Sequence, residues 1–170
     1  MITQTAQFSG LRPETLYMAY LSSEQHSAMT AGALHATFLR AGQEVPDGRE
    51  GDELRAFGSV GPDGQIEYSL GARVLRLVPG RLILMSWKNK AWNLALDPGD
   101  IDDLASTVEL TFAANVAGTE VRLVQSNVPT YRVRIAETGE IGPLSEIVNT
   151  HWSLLYWEPI RAYFRKTSKT

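Results

Sequence analysis

Cysteine is missing from all 170 residues, which removes disulfides, thiolate metal sites and a cysteine nucleophile. No apolar run approaches the roughly 20 residues that span a bilayer. Met1-Ile2-Thr3-Gln4 lacks the basic and apolar regions of a signal peptide. These absences predict a cytoplasmic protein with no membrane partner. Positive charge is in deficit, with 16 Lys and Arg against 19 Asp and Glu. A nucleic-acid partner is therefore not expected, because phosphate neutralisation needs a basic face. Chemical motifs are scarce too. No serine stands in a nucleophile elbow, and no glycine-rich loop is built to cradle phosphate. We expect no cofactor and no catalytic residue from pattern alone.

What is present is an ordinary globular composition, 44% hydrophobic and 21% charged, in a chain the length of one domain. There is no repeat, low-complexity tract or linker, so residues 1–170 read as a single domain. Residues 2–8 are β-compatible, with Ile2 and Phe8 able to face inward. Pro13 opens a helical stretch reaching Leu21. Ser22 and Ser23 form the N-cap region of a second short helix, Glu24 to Met29. Two helices directly after one strand predict a crossover between strands that are not neighbours.

From Ala31 to Gln125 turn signals recur: Asp47-Gly48, Pro62-Asp63-Gly64, Pro79-Gly80, Asp97-Pro98-Gly99 and Ala117-Gly118. Strands are expected between them, near 32–39, 52–60, 65–78, 81–88, 105–114 and 119–127. Val108, Leu110 and Phe112 alternate onto one face, and Val121 and Leu123 continue it after a turn, which reads as a hairpin. Arg81 to Trp87 is apolar on both faces and so belongs in the middle of a sheet.

Leu144 to about Lys166 holds no glycine and carries a helical stripe. On a 3.6-residue wheel Val148, Trp152, Leu155, Tyr156, Pro159, Ile160 and Tyr163 share about one third of the circumference. Pro159 lacks an N–H and presses on the Leu155 carbonyl, which predicts a kink. The order strand, two helices, six strands, long helix gives an α+β fold: a curved antiparallel sheet closed by a C-terminal helix.

Two local sequences carry a resemblance. Pro79 to Trp87 is a proline-containing turn, an apolar strand and a terminal tryptophan. His151 to Phe164 is a tryptophan-led helix ending in an aliphatic and an aromatic residue. Together with the Ser106–Ser126 hairpin, these resemble the START-like (SRPBCC, helix-grip) superfamily, within it the family of the heat-shock ATPase activator's C-terminal domain. The resemblance spans nearly the whole chain in element order. It implies a curved sheet of six to seven strands around the helix, with a ligand space between them or a co-chaperone role. Two segments depart from that pattern: residues 88–104, with Trp92 and four aspartates, and the polar stretch 128–141.

The chemistry-bearing residues each have a plain reading. His26, His35 and His151 lack metal-site spacing; His35 could face inward, and His151 sits at the stripe's edge, at the mouth of any enclosed space. Asp97, Asp100, Asp102 and Asp103 lack the glycine and closing glutamate of a calcium loop, so they read as a solvated turn. Arg73, Arg76, Arg81, Lys88 and Lys90 form a loose basic band, most simply a solvated sheet face. The aromatic residues suit a mostly apolar pocket with a few polar anchors.

The leading expectation is a small hydrophobic or amphipathic ligand held by Trp87, Trp92, Phe112, His151, Trp152, Leu155, Tyr156 and Tyr163. The alternatives are a chaperone partner, or an enzyme using His35, His151 or Glu109 as acid or base. Trp157 and Phe164 fall outside the stripe and, left exposed, would favour a homodimer.

Overall fold

A computed structural model describes residues 1–30, 35–89, 106–128, 132–134, 139 and 141–167. Strand β1 (Ile2–Ser9) leads into helices α1 (Pro13–Leu21) and α2 (Ser23–Met29). There follow β2 (His35–Arg40), β3 (Gln43–Val45), β4 (Glu53–Val60), β5 (Ile66–Val78), β6 (Leu82–Ser86), β7 (Lys88–Asn89), β8 (Thr107–Asn115) and β9 (Gly118–Ser126). A small ribbon, β10 (Arg132–Arg134) with β11 (Ile141–Pro143), precedes the C-terminal helix. That helix runs as α3 (Leu144–His151), a π-helical segment Trp152–Trp157 and α4 (Glu158–Thr167).

The main sheet is antiparallel with the order β1-β9-β8-β6-β5-β4-β2-β3, and β7 pairs with β5. Thus α1 and α2 carry the chain from one edge of the sheet towards the other, the crossover that two helices after one strand predict. Proline at the first turn of α1 costs nothing, since that N–H has no helical partner. Ser22 caps α2 by accepting from the Gln25 N–H at 3.3 Å. Ser23 and Ser27, one helical turn apart, then bind backbone of β2. Ser27 Oγ donates to the Ala36 carbonyl at 2.8 Å and accepts its N–H at 2.7 Å, while Ser23 Oγ accepts the Phe38 N–H at 2.9 Å.

The β8–β9 hairpin has the expected register, with Leu110 opposite Leu123 and Phe112 opposite Val121, all four buried. β6 is central, between β5 and β8; Ile83 and Met85 are buried, while Leu82 and Leu84 on the other face are half-buried. Two features went unread in the sequence. β3 returns from β2 through Ala41-Gly42, both at positive φ (50° and 78°), the geometry of a tight hairpin turn. The β10–β11 ribbon pairs Arg132 with Pro143 and Arg134 with Ile141, so β10 lies inside the stretch 128–141 expected to be loop and β11 begins at its end. The segment 88–104 lies outside the described residues from residue 90 onward, Trp92, Lys90 and the four aspartates included.

Register slips once between β2 and β4, where Ala36, between His35 and Thr37, stands opposite two residues of β4, Ala56 and Phe57. Phe57 has φ 57°, a left-handed conformation rare for a bulky side chain. Such bulges bend a sheet and re-aim the extra residue. Alternation from Leu54 and Ala56 would point Phe57 away from the core. The bulge instead lets it pack against the core, its ring centre 5.9 Å from that of Tyr156.

A polar clamp holds the turn before β4. The buried Asp52 carboxylate accepts from Arg40 Nε at 2.9 Å, Arg40 Nη2 at 2.7 Å and the Arg49 backbone N–H at 2.8 Å. Burial alone would raise its pKa, but the hydrogen bonds from Arg40 and Arg49 hold it below the ordinary 3.8. A depressed carboxylate stabilises the fold above its unfolded pKa, and that contribution is lost as pH falls through the folded value. Asp52→Asn should cost about 1–2 kcal/mol in urea unfolding at neutral pH, and the cost should shrink below pH ~4. An equal cost at both pH values would remove the carboxylate from this role.

Candidate functional site

Two tryptophans dock the C-terminal helix on the concave side. Trp152 Nε1–H donates to Gln125 Oε1 on β9 at 2.8 Å, and Gln125 Nε2 donates on to Ser106 Oγ at 3.3 Å. Trp157 Nε1–H donates to Gln4 Oε1 on β1 at 2.6 Å, and Gln4 Nε2 donates to the Asn149 carbonyl at 2.6 Å. Gln125 is fully buried. A buried amide is tolerable only with its hydrogen bonds made, so helix and sheet satisfy one another.

The helix has one register change. Leu144, Val148, Trp152, Tyr156, Ile160 and Phe164 are all buried and recur every four residues. At about 100° per residue, a four-residue step drifts ~40° around an α-helix each time, so a straight helix could not keep all six inward. The π-helical turns over Trp152–Trp157, with the Glu158 N–H bonded to the Ser153 carbonyl five residues back, absorb the drift. They also widen the helix just ahead of Pro159, where a missing N–H and a crowded carbonyl were expected.

The consequence corrects the α-helical wheel. Trp157 and Phe164 are buried, at 4% and 9% exposure, so the exposed aromatic surface that favoured a homodimer is absent. Tyr163 and Leu155 are half-buried, and His151 is exposed without a ring contact among the described residues. His35 is exposed, and Glu109 lies on the opposite face of β8 from buried Leu110. None of the three acid–base candidates therefore faces the interior. The basic band also dissolves: Lys88 is buried and Arg73 lies 3.6 Å from Glu53.

Three of the expected residues do meet. The ring centres of Trp87 and Trp152 are 5.0 Å apart, those of Trp152 and Tyr156 4.7 Å, and those of Trp87 and Tyr156 6.3 Å. Phe112 is buried elsewhere, edge-on to Tyr17 of α1 at 5.9 Å. Tyr156 instead meets side chains that pattern reasoning passed over: Tyr20 at 6.0 Å, Phe57 at 5.9 Å and His26 at 5.8 Å. Tyr20 and His26 are themselves 4.5 Å apart. The signal that could have found His26 was its place on α2 with Ser22, Ser23 and Ser27, which tie that helix under β2.

His26 is wholly buried, and its Nδ1 lies 2.8 Å from the Tyr20 carbonyl. A carbonyl can only accept, so Nδ1 carries the proton and Nε2 presents a lone pair. Among the described residues that Nε2 has no hydrogen-bond partner, and the Tyr20 hydroxyl makes no well-aligned hydrogen bond, although the Tyr156 phenol lies close enough to raise its pKa. The site thus holds one buried acceptor unsatisfied and one buried donor only weakly engaged, in an aromatic enclosure. Burial pushes the His26 pKa down to about 4, and the Tyr20 carbonyl only partly opposes this. Burial also raises the pKa of both phenols. All three groups are neutral at pH 7. Among the described residues no three His, Asp or Glu side chains converge as a metal site, and no helix is long and apolar enough to cross a membrane.

A histidine with a depressed folded pKa binds fewer protons folded than unfolded, so stability falls as pH drops from 6.5 towards 4. The difference between those values corresponds to ~3 kcal/mol. Urea titrations should show that loss in the parent and not in His26→Gln. Parallel pH profiles for the two would mean that His26 is not buried neutral.

The family model for "Activator of Hsp90 ATPase homolog 1-like protein" matches residues 11–155. Solved structures share the fold. A Plasmodium falciparum protein described as an HSP90 activator is 21% identical, covering 96% of this chain and 93% of that one, with a TM-score of 0.60. A Mesorhizobium loti protein is 18% identical over 98% and 97% of the two chains, with a TM-score of 0.60. A Cytophaga hutchinsonii protein is 13% identical over 100% and 98%, with a TM-score of 0.62. No curated protein matches the chain significantly. The helix-grip architecture and the match over most of its length place this chain in the activator of Hsp90 ATPase homolog 1-like family, within the START-like fold.

Proposed function

We propose that the domain is an intracellular binding module that holds one small amphipathic molecule between the sheet and the C-terminal helix. The observation that carries this reading is the pair at its centre: His26 Nε2 without a partner and the Tyr20 hydroxyl without a well-aligned hydrogen bond among the described residues, the Tyr156 phenol beside it. Each buried polar group left without a partner costs about 1–3 kcal/mol. A ligand hydroxyl satisfies both at once, accepting from Tyr20 and donating to His26. Trp87, Trp152, Phe57 and Tyr156 then supply the apolar walls. Because His26 and both phenols are neutral, the polar end of the ligand is uncharged: an alcohol, amide or protonated acid suits the site and a carboxylate does not.

Native mass spectrometry of the purified protein tests for a co-purifying molecule, and tryptophan fluorescence with decanol tests the chemistry. Decanol should perturb the Trp87–Trp152 emission saturably, and Tyr20→Phe should weaken it about tenfold, a lost hydrogen bond of ~1.4 kcal/mol. A bare protein mass together with emission indifferent to decanol would sink the reading and leave an enclosed water as the partner of Tyr20 and His26.

The family match favours a second reading, contact with a chaperone ATPase through the outer surface. In that case the domain accelerates ATP turnover by Hsp90 at equimolar ratio, and Tyr20→Phe does so equally well. Unchanged turnover removes it. An enzymatic reading would draw on His26 and the two phenols, the titratable groups that meet at the aromatic site.

A further inference from the structure

We infer that a second, separate site for a small oxyanion, the group shared by phosphates and carboxylates, lies in the cleft between β1 and α4. The cleft has a volume of about 120 Å³ and is lined by Gln7, Phe8 and Leu11 on one side and Arg161, Phe164 and Arg165 on the other. One water occupies ~30 Å³ of liquid, so the space takes an inorganic anion or a single head group. It is too small for the ~300–1,000 Å³ ligands of ordinary pockets.

Arg161 is positioned in advance. Its Nε–H donates to the Gln7 carbonyl at 3.2 Å, and its guanidinium carbon stands 5.5 Å from the centre of the Phe8 ring. Those two contacts fix the plane of the guanidinium and consume one of its five N–H groups. The four Nη–H groups have no partner among the described residues, and they form the fork that matches an oxyanion bidentately. Arg165 follows one turn later on the same helix face, exposed and without an ion pair among the described residues.

Like charges four residues apart on a helix repel. Two carboxylates stand nearby in sequence or register, Glu158 on α4 and Glu120 opposite Gln7 on β9. Neither is within ion-pair distance of either arginine. The Gln7 side chain is turned to Asn115, its Oε1 accepting from Asn115 Nδ2 at 2.8 Å, so it does not fill the cleft. A cleft walled by two arginines, one of them oriented, with an aromatic floor and no acidic side chain among its lining residues suits an oxyanion.

NMR observation of the arginine Nε–H resonances during titration with inorganic phosphate tests this, with acetate as the carboxylate arm and chloride as the ionic-strength control. Phosphate should shift the Arg161 Nε–H signal saturably, and Arg165→Gln, an exposed position that leaves packing intact, should weaken binding about tenfold. Arg161→Gln should abolish it; if that variant unfolds, Arg165→Gln decides alone. Saturation by acetate and not phosphate would assign the site to carboxylates. An Arg161 signal that moves equally with chloride, or an Arg165→Gln titration identical to the parent, would overturn the proposal.

Discussion

Everything on the concave side depends on two indole N–H groups finding two glutamine carbonyls. Trp152 with Gln125 and Trp157 with Gln4 fix the helix on two adjacent strands, β9 and β1, so its rotation about its own axis is settled. An apolar stripe alone would leave that rotation loose, because hydrophobic contact is non-directional. A buried amide removed from its partner is costly in a way that a shifted leucine is not. The polar contacts therefore choose among the helix rotations that burial alone would permit.

That choice explains how far the sequence could be read. The element order, the β8–β9 hairpin and the α1–α2 crossover were legible because each rests on local signals: Pro13 at a first turn, Ser22 at a cap, alternation from Val108 to Phe112. The inward residues of the last helix were legible only in part. A wheel of 3.6 residues selects Tyr163, whereas the π turn hands the inward place to Phe164 and brings in Trp157. The strict recurrence from Leu144 to Phe164 in steps of four was visible, but it becomes informative only once a sheet demands that all six face one way.

The candidate site was less legible still, for a different reason. Its walls, Trp87, Trp152 and Tyr156, announce themselves as large aromatic residues in predicted elements. Its polar centre comes from the end of one short helix and the middle of the next, Tyr20 and His26, brought together by serine contacts to a strand edge. Phe57 reaches the core from a bulge at positive φ, although the alternation of Leu54, Ala56 and Gly58 assigns it to the other face. Those placements are tertiary, and no spacing rule in one chain encodes them. The residues that sequence favoured for acid–base work, His35, His151 and Glu109, lie on strand faces or helix sides turned outward.

The serines of α2 have one more effect. An open sheet has two rims, and each rim offers unpaired backbone to any passing extended chain. At one rim Ser27 occupies the amide and carbonyl of Ala36, beyond the reach of three-residue β3, and Ser23 bridges the Phe38 amide of β2 to the Val45 carbonyl at the end of β3. At the other, Arg161 occupies the Gln7 carbonyl of β1. Side chains thus stand where a foreign strand would have to zip on, and the curled sheet is discouraged from growing sideways into aggregates without needing to close into a barrel.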